Sequence, residues 1–156
     1  MTSATARAHP NIAFIKYWGN QDDSLRLPAS PSLSMILEGL FTETKVRWDE
    51  SLSSDSLMLN GEVMHGEPLA RVSAHLDVIR QRIKSSLFAH IKSDNNFPTG
   101  AGIASSASAF AALTLAAIHA DGENLSTQEL STIARIGSGS ASRSIPSGFV
   151  EWHTGN

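Results

Sequence analysis

Strand-like alternation dominates the chain up to about residue 64, and helical spacing dominates after it. Ala6 to Trp18 gathers β-branched and aromatic residues around Asn11-Ile12-Ala13-Phe14-Ile15 and reads as a strand interrupted near Pro10. Asn20-Gln21-Asp22-Asp23-Ser24 is a polar turn. Leu25 to Leu40 carries Pro28 and Pro31, so it starts as a loop, with a strand expected over Ser32–Leu37. From Phe41 to Trp48, Thr42, Thr44, Val46 and Trp48 share one face and Glu43, Lys45 and Arg47 the other, the pattern of a half-buried strand. Leu57-Met58-Leu59, Asn60-Gly61 and Glu62-Val63 form a hairpin signal, because Asn-Gly tolerates the positive φ angles of a type I′ turn.

Beyond it, Leu69, Val72, Leu76, Ile79 and Ile83 recur at three- and four-residue steps and predict a helix from Pro68 to roughly Ser93. Pro68 suits its first position. A second, alanine-rich helix is expected over Ser105–Ala120, with Gly122 as its stop. A third begins at Ser126, where Ser126 and Glu129 form a capping box flanked by Leu125 and Leu130, and ends near Gly137. Phe149-Val150-Glu151-Trp152 reads as a late strand. Strands first, then helices, then a strand is an α+β layout. The sequence stops four residues after Trp152, where a strand should be entering a sheet, so a piece of a longer polypeptide is expected.

Composition narrows the function classes. The chain has 156 residues, 41% hydrophobic and 17% charged, which fits one globular domain with its own core. Twelve basic and 15 acidic side chains give a net charge of -3, without the basic excess of a nucleic-acid binder. There is no cysteine, which removes disulfides, thiolate zinc sites and thiol nucleophiles. Neither an apolar signal core nor a run of the ~20 apolar residues needed to span a bilayer is present, so a cytoplasmic location is expected. The six histidines show no metal-ligand spacing, and no residue is assigned to a metal. Asp22-Asp23 is a carboxylate pair in a polar turn, where solvation is the simpler role.

Three stretches have the makings of a site. Pro98-Thr99-Gly100-Ala101-Gly102-Ile103-Ala104-Ser105-Ser106-Ala107-Ser108 leads into the alanine-rich helix. Its glycines let backbone N–H groups approach a ligand, its serines add hydroxyls, and a helix start offers unpaired N–H groups and partial positive charge. It lacks the Gly-Lys-Ser/Thr ending of a Walker loop, and a glycine turn before a serine-capped helix accounts equally well for the residues alone. Gly137-Ser138-Gly139-Ser140-Ala141-Ser142-Arg143-Ser144 packs four hydroxyls and a guanidinium into eight positions. Arg suits bidentate recognition of carboxylate or phosphate, and a flexible loop with a surface Arg is the alternative. Lys16-Tyr17-Trp18-Gly19-Asn20 closes the first strand, where a buried aromatic cluster beside an exposed Lys is the plainer reading.

Taken together and in this order, the stretches resemble the diphosphomevalonate decarboxylase branch of the GHMP kinase superfamily. Asn11 to Gly19 is similar to that family's first block and Pro28-Ala29-Ser30-Pro31-Ser32-Leu33-Ser34 to its second. Pro98 to Leu113 resembles its nucleotide loop and helix. Gly137 to Ser144, with Gly148-Phe149-Val150-Glu151-Trp152, resembles its substrate block. The resemblance implies an N-terminal GHMP kinase domain, of ribosomal protein S5 domain 2-like fold, over residues 1–156, with a mixed sheet and helices packed on one face. It also implies that the family's C-terminal domain is absent from this chain. The implied reaction uses ATP and Mg2+ to phosphorylate the tertiary 3-hydroxyl of a phosphorylated mevalonate. Phosphate then leaves and the carboxylate departs as CO2, giving an isopentenyl product of isoprenoid biosynthesis. Implied roles are nucleotide binding by Gly100, Ala101, Gly102, Ala104, Ser105, Ser106 and Ser108, and substrate binding by Tyr17, Asn20, Ser138, Ser140 and Arg143. Lys16 and Arg143 are the implied catalytic residues. A homodimer, completed by a C-terminal half of the same protein, is the implied assembly.

Three departures from the family pattern matter. Asn20 stands where diphosphate-specific members carry a second Lys. Losing that charge suits a monophosphate and predicts a preference for mevalonate 5-phosphate. Ser142 replaces a frequent Cys, a small change. No residue matches the family's catalytic Asp, which lies in its C-terminal half. The other readings are a diphosphomevalonate decarboxylase, a small-molecule kinase of the superfamily, a non-catalytic fragment, and an RNA-binding domain of related topology, against which the acidic balance argues.

Overall fold

The structure, a computed structural model, describes residues 2–16, 18–98 and 105–154. In chain order its elements are β1 (Thr2–Ala8), β2 (Asn11–Ile15), β3 (Asn20–Asp22), β4 (Leu27–Pro28), β5 (Ser32–Ile36), β6 (Thr42–Asp49), β7 (Ser56–Leu59), β8 (Glu62–Met64), α1 (Glu67–Ile83), β9 (Phe88–Asn95), α2 (Ser105–Asp121), α3 (Thr127–Gly137), a 3-10 helix over Gly139–Ser144, and β10 (Phe149–Trp152). They form a five-stranded sheet in the order β1-β6-β9-β7-β8, a three-stranded sheet in the order β10-β5-β2, and the small β3-β4 pair. The larger sheet is mixed: β7 runs parallel to β9, and its other pairings are antiparallel.

The alternation over Phe41–Trp48 fixes which face of that sheet is covered. Thr42, Thr44, Val46 and Trp48 are all buried, while Lys45 on the other face is exposed. Trp48 packs against α2 and donates its indole N–H to the Ala117 carbonyl at 3.0 Å, so the largest core side chain leaves no polar atom unmet. The alanines of α2 (Ala107, Ala111, Ala112, Ala116, Ala117) are buried, and their small side chains let this helix lie close to the sheet. The expected α+β architecture, a mixed sheet with helices on one face, is the one observed. Among the described residues no helix is long and apolar enough to cross a membrane.

Local signals held where local physics decides. Asn60 and Gly61 both take positive φ, 50° and 83°, as a type I′ turn requires. The Ser126–Glu129 capping box closes in both directions. The helix expected to reach Ser93 does not: α1 stops at Ile83, where Lys84 turns left-handed at φ 55° and its N–H caps the Arg80 carbonyl. Phe88–Asn95 is instead β9, in the middle of the large sheet. Ala89, Ile91 and Ser93 point into the core there, so sheet pairing on both edges overrides the helical continuation. The buried Arg80 ties the connection down. It pairs with Asp55, with Asp77 at 2.6 Å, and donates to the Leu87 carbonyl at 2.8 Å. The polar turn at Asn20 is also more ordered than expected, forming the β3-β4 ribbon.

Candidate functional site

The three-stranded sheet brings the first, second and fourth sequence blocks together. β5 lies between β2 and β10, antiparallel to both. Asn11, the first residue of β2, is buried, and its side-chain amide donates to the Ser140 carbonyl at 2.9 Å and to Ser144 Oγ at 2.8 Å. Arg143 is 5% exposed. It donates Nε to Asn11 Oδ1 at 3.4 Å and Nη1 to Ser32 Oγ at 3.0 Å, and its guanidinium carbon lies 5.4 Å from the Trp152 ring centre. Charge-assisted bonds to fixed neutral oxygens hold a guanidinium in one orientation. That suits recognition of an anionic group.

The segment for which a flexible loop is the alternative reading forms the 3-10 helix, and its residues from Ala141 to Ser144 are buried. Ala141 N–H donates to the Ser138 carbonyl at 2.8 Å, and Ser131 Oγ of α3 donates to the Ser142 carbonyl at 2.8 Å. Ser142 donates its hydroxyl to the Gly139 carbonyl at 2.8 Å. The segment is therefore preorganised by α3 and by Asn11.

A chain of hydroxyls joins this segment to the start of α2. Ser106 Oγ lies 3.2 Å from Ser138 Oγ, which lies 3.2 Å from Ser140 Oγ. Beside Ser106 an open cavity of about 190 Å³ is lined by Arg71, Ser93, Asn95, Ser105 and Phe110, among others. A whole-ligand pocket measures ~300–1,000 Å³, so this cavity has room for one ring system of a ligand that continues outside it. Ser108, grouped with Ser105 and Ser106 on sequence, points elsewhere. It is fully buried, and its hydroxyl lies 2.7 Å from Thr42 Oγ1, because the ~200° of rotation from Ser106 round the helix turns it to the sheet. Gly100, Ala101, Gly102, Ala104 and Tyr17 lie outside the described residues.

Lys16 and Asn20 stand apart from the Arg143 cluster, with no hydrogen bond to it among the described residues. Lys16 is exposed just after β2. Asn20 begins β3 and donates its amide to Asp23 Oδ1 at 2.9 Å. The Ser24 hydroxyl and the Leu25 N–H hold the Asp22 carboxyl below its usual range. The ribbon rests on the end of α3 through Arg26 Nε, 3.0 Å from the Ile136 carbonyl. The ribbon's carboxylates are thus engaged in turn contacts, in keeping with the expected solvated turn.

Asn11 and Ser32 are the site residues that sequence reasoning passed over. Both had a signal, a polar side chain at the mouth of an otherwise apolar or alternating strand, but only the fold shows that they meet the same arginine. Among the described residues no group of three or more His, Asp or Glu side chains could hold a metal ion. The donors at the α2 start are hydroxyls. They fit an Mg2+ that arrives on a nucleotide's phosphates and keeps most of its ligands there, rather than a protein-built carboxylate cage.

Residues 8–156 match the family model described as Diphosphomevalonate decarboxylase-like N-terminal domain. The chain is 46% identical to the diphosphomevalonate decarboxylase of Ganoderma lucidum, covering 97% of this chain and 42% of the relative. It is 34% identical to the phosphomevalonate decarboxylase of Haloferax volcanii, covering 97% and 47%. The crystal structure of mevalonate diphosphate decarboxylase from Staphylococcus aureus superposes with a TM-score of 0.96 at 50% identity, covering 99% of this chain and 47% of that one. A complex with MVAPP, AMPPCP and magnesium superposes at 0.94 with 46% identity, covering 99% and 47%. The chain therefore spans about half the length of the curated relatives it matches.

Proposed function

We propose, for a chain that belongs to the diphosphomevalonate decarboxylase-like N-terminal domain family, that the full-length protein is an ATP-dependent decarboxylase of phosphorylated mevalonate, with mevalonate 5-phosphate as preferred substrate and isopentenyl phosphate as product. The observation that carries this reading is the buried Arg143, fixed by Asn11 and Ser32 on a segment whose Ser138 and Ser140 hydroxyls join it to Ser106 at the start of α2.

In this reading Arg143 grips the substrate carboxylate, and Ser138 and Ser140 contact substrate oxygens. Ser105, Ser106 and the glycine stretch before them receive the ATP phosphates, with the nucleotide ring in the cavity lined by Arg71 and Asn95. Mg2+, bound with the nucleotide, neutralises phosphate charge during transfer. The γ-phosphoryl group passes to the tertiary 3-hydroxyl, whose proton goes to a carboxylate on the second half of the protein. The C–O bond to phosphate then breaks. The electrons of the C–C bond to the carboxylate form the alkene, and CO2 departs. A fixed guanidinium orients the carboxylate so that this bond lies in line with the developing cation.

Lys16 is assigned to the reacting centre and Tyr17 to the phosphate end of the substrate. The relatives' twofold greater length supports a second half that completes the site, and a homodimer in the cytoplasm is part of the same proposal. Asn20 supports the monophosphate preference, because an amide engaged with Asp23 brings no positive charge to an outer phosphate. Steady-state kinetics with both substrates test the preference. A kcat/KM for the diphosphate tenfold or more above that for the monophosphate, roughly 1.4 kcal/mol in the wrong direction, would overturn it.

A further inference from the structure

Gly137, the last residue of α3, has no room for a side chain. A Cβ built there would lie 2.3 Å from Phe110 Cδ1 and 2.8 Å from His75 Nδ1. Three helices therefore converge on one α-carbon: α1 through His75, α2 through Phe110, and α3 itself. His75 is 3% exposed and packs edge-on against Phe110, with ring centres 5.2 Å apart.

The hydrogen bonds fix the imidazole tautomer. Thr114 Oγ1 gives its single proton to the Phe110 carbonyl at 2.7 Å, so it can only accept from His75 Nε2 at 2.8 Å. Nδ1 is then the bare nitrogen. It is buried without a hydrogen-bond partner among the described residues and faces the Gly137 α-carbon. A buried polar atom left unmet costs stability, and its placement against a residue one step before Ser138 calls for a reason.

Position supplies one. Ser138 Oγ bridges Ser106 of the nucleotide helix to Ser140 of the substrate segment. The Ser106–Ser138 distance is set by how closely the end of α3 approaches α2, and that approach is set by the missing Cβ. We infer that Gly137, seated against His75 and Phe110, is the spacer that fixes the separation of the nucleotide-binding and substrate-binding segments. His75 and Phe110 are then positioning residues for transfer between them. The geometric half of this inference stands on the contacts alone, and the kinetic half rests on the proposed ATP-dependent reaction.

The test installs Ser106→Cys and Ser138→Cys in the full-length protein. These 156 residues contain no other thiol. Disulfide formation between the pair, followed by peptide mass mapping, reports their approach, because the bond tolerates only a narrow range of separations. Adding Gly137→Ala is expected to slow the cross-link ~tenfold or more, and adding Phe110→Leu as well to restore it to within ~threefold of the parent pair. In the protein without the cysteines, Gly137→Ala should lower kcat ~tenfold or more while each KM stays within ~twofold, as a misplaced but still bound pair of reactants requires. An unchanged cross-linking rate in Gly137→Ala, or a slowing that Phe110→Leu does not relieve, overturns the inference. Should Gly137→Ala alone fail to fold, the variant with Phe110→Leu carries the comparison, and its failure to fold also overturns it. A wild-type protein that releases no CO2 would refute the functional reading and leave the cross-linking result standing.

Discussion

Trp48 on the five-stranded sheet is 1% exposed, whereas Phe149 on the three-stranded sheet is 70% exposed. Both sheets carry apolar residues on one face. The larger one buries that face beneath the helices and gains the stability of a closed core. The smaller one leaves Ile12, Phe14 and Phe149 outward, with Phe14 and Phe149 stacked at 6.2 Å, while Asn11, Ser32 and Arg143 form a buried polar cluster. A contiguous open apolar face marks an interaction surface more often than a defect. The contrast separates two jobs: the large sheet holds the domain together, and the small one carries the Arg143 cluster proposed to bind an anion, with an exposed apolar outer face on which the proposed second half would pack.

Removing Trp48 should break the stable side of this contrast most severely. Trp48→Ala deletes the core's largest side chain and removes the indole donor to the Ala117 carbonyl, at a cost of ~3–5 kcal/mol read in denaturant melts. Next comes acid. Burial pushes the His75 imidazole down to about 4 from an ordinary 6.5. A lowered histidine favours the folded state fully above pH 6.5, and that contribution is lost as pH falls through about 4. The loss amounts to ~3 kcal/mol at 1.36 kcal/mol per unit. Melts of wild type and His75→Gln at pH 7 and pH 4 should therefore converge by about that amount, and parallel curves would show that His75 is not buried neutral.

On the other side of the contrast, Arg143→Ala in the full-length protein should cut turnover ~100-fold or more while ATP affinity stays nearly unchanged. Near-wild-type turnover would remove the carboxylate role. Phe149→Ser should destabilise the full-length protein by ~1–2 kcal/mol if the second half covers this face. A change within ~0.5 kcal/mol, as for an ordinary surface site, would mean that the face stays open. Asn20→Lys, the mildest change, should shift the ratio of kcat/KM values toward the diphosphate by ~tenfold.

Sequence and structure agree where neighbours along the chain settle the outcome. The alternation of β6, the Asn60-Gly61 turn and the Ser126 cap are local, and each formed as read. They part where distant contacts decide. Phe88–Asn95 looked like more helix because the apolar stripe ending at Ile83 is followed by no glycine or proline, and only pairing with β6 and β7 makes it a strand. Gly137–Ser144 has the composition of a mobile loop, yet Asn11, 129 residues before Ser140, holds it from across the fold. Ser108 looked equivalent to Ser105 and Ser106, but helical rotation turned it into the core.

The central claim is that this domain serves a decarboxylation and not a phosphorylation alone. Full-length protein supplied with ATP, Mg2+ and mevalonate 5-phosphate should release CO2 and ADP in equal amounts, with an isopentenyl phosphate as product. ADP formation that leaves a phosphorylated product still carrying its carboxylate would contradict the account and make the protein a kinase.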